Sequence, residues 1–194
     1  MDYISAKYDM LDKLRSELPA ELHYHGIHHT LEVLSNTERL IISERVSDDT
    51  AVLLRIAAVY HDSGFVKTRV GHEQVGCEYA RRYLPEYGLS DDQVEQVCGM
   101  ILATRVPQAP TTPAQAILCD ADLDYLGRDD FWSIGRSLYK ELAAHQLVDS
   151  LTTWNGVQLQ FLQQHRFHTA TNRREREPQK QMHLSALHQM VGVE

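Results

Sequence analysis

Apolar residues recur along the chain at intervals of three and four rather than two, and Pro and Gly fall between the periodic segments. That spacing is the mark of amphipathic helices. It predicts helices over 2–18, 28–45, 48–62, 71–84, 90–104, 113–125, 129–147 and 150–168, with a terminal piece near 178–190. Breaks fall at Pro19, Gly64, Pro85 with Gly88, the segment from Pro107 to Pro113, and Gly127; Asp48 and Ser90 are candidate N-caps. No alternating strand pattern competes. The expectation is an all-α fold, with a helical domain over 1–170 and a charged connector plus C-terminal helix over 171–194 packing on the same domain. The charged run from Arg173 to Glu177 reads as a solvated connector.

Composition narrows the class. A chain of 194 residues that is 43% hydrophobic buries roughly 70% of its unfolded surface on folding, so most of it is expected to be ordered. The net charge of -8 argues against a broad nucleic-acid or anionic-membrane surface. The N-terminus lacks a basic segment followed by an apolar one, and no uncharged run of 18 residues occurs, so a cytoplasmic protein without membrane association is expected. Cys77, Cys98 and Cys119 form no CxxC pair and read as buried reduced thiols.

Helical phase sorts the candidate chemistry. His23, His25, His28 and His29 cluster at the start of a predicted helix. At about 100° per residue, His29 shares the apolar arc of Val33 and Leu40, whereas His28 points outward with Glu32 and Ser35. His61–Asp62 ends AVLLRIAAVY, a segment whose one charged residue is Arg55, so a carboxylate arrives at the end of a central apolar helix. Such a group must be paired, capped or metal-bound. In LCDADLDYLG, Asp122 lies on the apolar arc, while Asp120 and Asp124 project to roughly the opposite side. Each inward group alone admits a hydrogen-bonded core role. Together, His29, His61, Asp62 and Asp122 are four inward polar groups on three helices that one divalent ion would satisfy. Two imidazoles and two carboxylates suit Mn, Fe, Ni, Co, Zn or Mg with open water positions. Such an ion favours phosphoester hydrolysis.

The ordered set YHGIHHTLEVL, AVYHDSGF and LCDADLDYLG, spanning residues 23–127, resembles the HD-domain metal-dependent phosphohydrolases. The resemblance implies a compact helical bundle with metal ligands His29, His61, Asp62 and Asp122, and a catalytic role for Asp62 in orienting water. By similarity to the YHNxxH form of HD phosphodiesterases, His25 corresponds to a proton donor, with Gly26 in place of the Asn. In HDxGK-type relatives a histidine after the pair binds a second metal; here the wider histidine set is missing, and His72 is assigned to helix capping or substrate. Lys67 and Arg105 are favoured over Arg69 as phosphate-binding cations. The chain lacks the HDxxED pattern of alarmone hydrolases and the full HD-GYP motifs. A phosphomonoester or phosphodiester of a nucleotide is the expected substrate, with Tyr24, Tyr60, Phe65 and Tyr125 either lining a base pocket or belonging to the core. The alternative is a non-catalytic nucleotide- or metal-binding regulatory module. The 129–168 helices and the terminal segment either close the pocket or form a homodimer surface.

Overall fold

A computed structural model describes residues 1–192; the last two residues of the 171–194 segment lie outside the described residues. Among the described residues all regular structure is helical. The α-helices are α1 (Tyr3–Glu17), α2 (Ile27–Ser43), α3 (Asp48–Tyr60), α4 (His72–Tyr83), α5 (Asp91–Ala103), α6 (Pro113–Asp122), α7 (Phe131–Ala144), α8 (Leu151–Gln164), α9 (Ala170–Glu175) and α10 (Glu177–Val191). Short 3-10 turns at Ser63–Val66, Leu84–Tyr87 and Asp124–Gly127 follow α3, α4 and α6. No described helix is long and apolar enough to cross a membrane.

Local sequence sets the ends. Ser90 and Gln93 close a reciprocal capping box on α5. Thr112 caps α6 ahead of Pro113, which needs no amide partner at a first helical position. On α3 the N-cap is Ser47, not Asp48, which instead opens the helix with Asp49 and complements its dipole.

The bundle is built around α3. Leu54, Ile56, Ala57, Ala58 and Val59 have no exposed surface, and α1, α2, α5 and α6 pack on it. Small side chains let neighbouring helices approach closely, so nearly the whole circumference is covered. Arg55 escapes to the rim and pairs with Glu38 at 2.7 Å. A second apolar cluster joins Leu123, Tyr125 and Leu126 to Phe131, Leu162 and Leu187 from α7, α8 and α10.

The solvated connector expected at Arg173–Glu177 is exposed over Arg173, Arg174 and Glu175, but Arg176 turns inward and the segment docks on the body. Arg176 Nε is 2.9 Å from Asp124 Oδ1, Arg39 Nη2 is 2.6 Å from the same atom, and Asn172 Nδ2 donates to it at 3.1 Å. Asp120 accepts from the His168 and Thr169 amides at 2.8 Å each and from the Thr169 hydroxyl at 2.6 Å. Asp120 and Asp124 thus face away from Asp122 as phase requires, but the C-terminal segment covers them completely. Gly127 makes this docking fit, because a Cβ there would stand 2.2 Å from the Arg176 carbonyl oxygen.

Candidate functional site

Three helix ends converge. His29 stands in the first turn of α2, His61 and Asp62 leave the C-terminus of α3, and Asp122 is the last residue of α6. Ligand atoms of His29, His61 and Asp122 lie within 4.8 Å of one another. His29 Nε2 is 3.1 Å from Asp122 Oδ1 and 3.5 Å from Asp62 Oδ2, while His61 Nε2 is 3.2 Å from Asp62 Oδ2 and 3.6 Å from Asp122 Oδ1. His28, one residue from His29, is exposed.

The donor set fits a cation. His61 Nδ1 donates to the Ala58 carbonyl at 2.8 Å, which turns Nε2 toward the carboxylates. His61 Nε2 and Asp62 Oδ2 are fully buried and lack a hydrogen-bond partner. Two such atoms facing each other in the interior carry a desolvation cost of about 1–3 kcal/mol each, which a divalent ion between them would remove. Charge coupling is strong: burial opposes ionisation of His61, yet Asp62 and Asp122 raise its pKa well above the imidazole range. Burial likewise pushes Asp122 up, but the hydrogen bond to His29 and the nearness of the His61 imidazole outweigh it and hold the carboxyl at about 2.

His72 joins from the start of α4. Its Nδ1 donates to the Arg69 carbonyl at 2.9 Å, and Nε2 lies 3.3 Å from Asp62 Oδ1. Gly64 permits this approach, since a Cβ there would lie 2.0 Å from the His72 carbonyl oxygen. Contact with both Asp62 and the adjoining cavity sets His72 on the site rather than on the helix end alone.

A second group forms around His25. Glu141 of α7 has no exposed surface, and it accepts from the Tyr24 amide at 2.7 Å, the His25 amide at 3.0 Å and His25 Nδ1 at 2.5 Å. Arg69 Nη2 lies 3.0 Å from the same carboxylate. Burial alone would raise Glu141, but His25 and the two amides bring it down to about 2. The His25 ring stacks on Phe65 with centroids 4.2 Å apart. With Nδ1 held by Glu141, Nε2 is the ring nitrogen left for the cavity that His25 lines.

That cavity, about 500 Å³, is lined at one end by Asp62, Asp122, His25, His72 and Glu73, and runs between α7 and α8. Arg105 reaches its rim half-exposed, 3.6 Å from Glu73. Lys67 is exposed and outside the lining. Lys67 as a phosphate-binding cation is therefore corrected, and Arg69 does not take its place: residue 67 follows the 3-10 turn outward, while Arg69 pairs with Glu141 and is also outside the lining. Tyr24 and Tyr125 line the cavity, whereas Tyr60 belongs to the main core. The three cysteines are free and buried.

Glu141 is not among the residues the motifs single out. Its signal is nevertheless present, because it falls at the edge of the α7 arc carrying Phe131, Ile134 and Leu138.

Residues 26–124 match the HD domain family model. In fold, the chain is similar to a crystal structure of a predicted HD superfamily hydrolase from an uncultured Thermotogales bacterium. The two share 24% identity with a TM-score of 0.63, over 95% of this chain and 91% of that one. No curated protein matches the chain.

Proposed function

Because the chain belongs to the HD domain family, we propose that it is a metal-dependent hydrolase of phosphomonoesters or phosphodiesters, with His29, His61, Asp62 and Asp122 as metal ligands. The observation that carries this reading is the buried, partnerless pair His61 Nε2 and Asp62 Oδ2 between two further ligands. A divalent ion bound there supplies Lewis acidity to a phosphoryl oxygen and acidity to water. The protein's own groups do the rest. Asp62 orients the attacking water, and His72 beside Asp62 Oδ1 fixes that carboxylate. His25, held through Nδ1 by Glu141, delivers a proton from Nε2 to the leaving oxygen. Arg105 at the rim meets phosphate charge.

Metal quantification on the purified protein, paired with turnover of p-nitrophenyl and bis-p-nitrophenyl phosphate, tests the assignment. Asp62→Ala is expected to lose both bound metal and activity. Full activity in a folded Asp62→Ala protein would overturn it, and binding without turnover by the wild type would favour the regulatory alternative.

A further inference from the structure

The cavity extends well beyond the ligands, and its far walls bear on the part of the substrate that is not phosphate. α7 and α8 are consecutive helices joined by residues 145–150; they meet where Gln158 lies against Gly135 and where Phe131 and Leu162 share a cluster, but α8 packs chiefly on α10, and a cavity opens between the rest of the pair. Leu138 and Leu142 face that space from one side, Trp154, Val157 and Phe161 from the other. Interiors ordinarily close around such surfaces, because an unfilled void forfeits dispersion contacts along its lining. A chamber of about 500 Å³ that is apolar along its length and opens onto the ligand cluster has the size and wall chemistry of a small-molecule site. Gln158, only 7% exposed, is the one polar side chain that α8 contributes to it.

The cations set a further limit. Arg69 is occupied by Glu141, Lys67 lies outside the lining, and Arg105 shares its rim position with Glu73. One phosphoryl group has partners at the ligand end; along the walls of α7 and α8 the additional phosphates of a nucleoside polyphosphate meet no cation, and ribose hydroxyls meet only Gln158, the other polar lining residues lying toward the ligands. We propose that the substrate is an ester of a single phosphoryl group with an apolar alcohol or phenol, whose hydrocarbon part fills the chamber between α7 and α8. This substrate class rests on the hydrolase reading of the same site. In hydrolysis, water oxygen bonds to phosphorus and the bond from phosphorus to the ester oxygen breaks. That oxygen leaves with a proton from His25, and phosphate and the apolar alcohol are the products.

Phosphonates, which have no such bond to break, test this by calorimetric binding to the wild-type protein in Mn²⁺. Affinity is expected to rise about fourfold per added methylene from methyl- to butylphosphonate, and 1-naphthylmethylphosphonate should bind more tightly than AMP. Leu138→Trp, which fills the chamber, is expected to flatten the series while inorganic phosphate still binds, the latter serving as the check that the protein is folded. A flat series in the wild type, tighter binding of AMP, or an unchanged series in folded Leu138→Trp would overturn the apolar-substrate proposal and leave the hydrolase reading standing. Failure of every phosphonate and of inorganic phosphate to bind would overturn both.

Discussion

Glu141 ties three chain segments to one carboxylate: residues 24–25 through two amides and an imidazole, Arg69 through an ion pair, and α7 through its own backbone. It does not line the cavity, so on the proposed hydrolase reading it is a positioning residue acting through His25. Glu141→Gln preserves size but loses the charge that pairs with the His25 ring and orients it. The expected result is a fall in kcat of about 10- to 100-fold, within what a general acid contributes, with little change in KM. The loss should be large for alkyl phosphoesters and small for p-nitrophenyl phosphate, whose leaving group needs no proton. Equal losses for both would assign Glu141 a purely structural role. At this scale the sequence is informative wherever a polar residue interrupts an apolar arc. His29 and Asp122 are found that way, and the same phase argument applied to α7 reaches Glu141. Lys67 and Arg69 escape it because they follow a 3-10 turn, where the 3.6-residue period no longer assigns directions.

Between elements, the contact that matters most is the one Gly64 allows. The turn after α3 runs against the first residue of α4, and this closeness brings His72 Nε2 to 3.3 Å from Asp62 Oδ1. In Gly64→Ala the added methyl meets backbone rather than a movable side chain, so one element must shift. Overpacking of this kind costs about 1–3 kcal/mol, and the expected outcome is a lower Tm together with weaker metal retention, read by thermal melting and metal analysis. A variant that melts lower but holds metal as the wild type does would separate α4 from the site. Helix existence and order are legible from periodicity because each helix carries its own apolar stripe. The burial of Asp120 and Asp124 is not: periodicity sets both opposite Asp122, but not that residues 168–176 return across 48 or more positions to cover that side. The docking of Arg176 within the otherwise exposed charged run escapes for the same reason, its partner Asp124 being remote in sequence.

At the scale of the molecule, two apolar clusters meet at the ligand set. Tyr60 and Ala121 belong to the first and Leu123 to the second, so His61, Asp62 and Asp122 stand where one gives way to the other. The second cluster carries a titration of its own. His165, buried beside Lys180, is held at about 3 by burial and by that cation, against 6.5 for a free imidazole. The unfolded chain therefore takes up a proton near pH 6.5 that the folded chain refuses until about pH 3. This contribution to stability is complete above pH 6.5 and declines as pH falls toward 3. The Tm of His165→Leu should drop less than that of the wild type between pH 7 and 4.5; parallel curves would refute the assignment. A cation bound at the seam would draw together α2, α3 and α6, and the unfolded chain has no such arrangement of donors. Binding to the native state alone stabilises by about 2.7 kcal/mol at a free ion concentration 100 times Kd. At roughly 2–4 °C per kcal/mol for a chain of this size, that is a rise of about 5–11 °C in Tm. Chelation should abolish the rise, and Asp122→Asn should lack it from the start because one of the converging donors loses its charge. If melting is indifferent to both chelator and added ion, the four side chains form a hydrogen-bonded network without a metal, and the seam is held by packing alone.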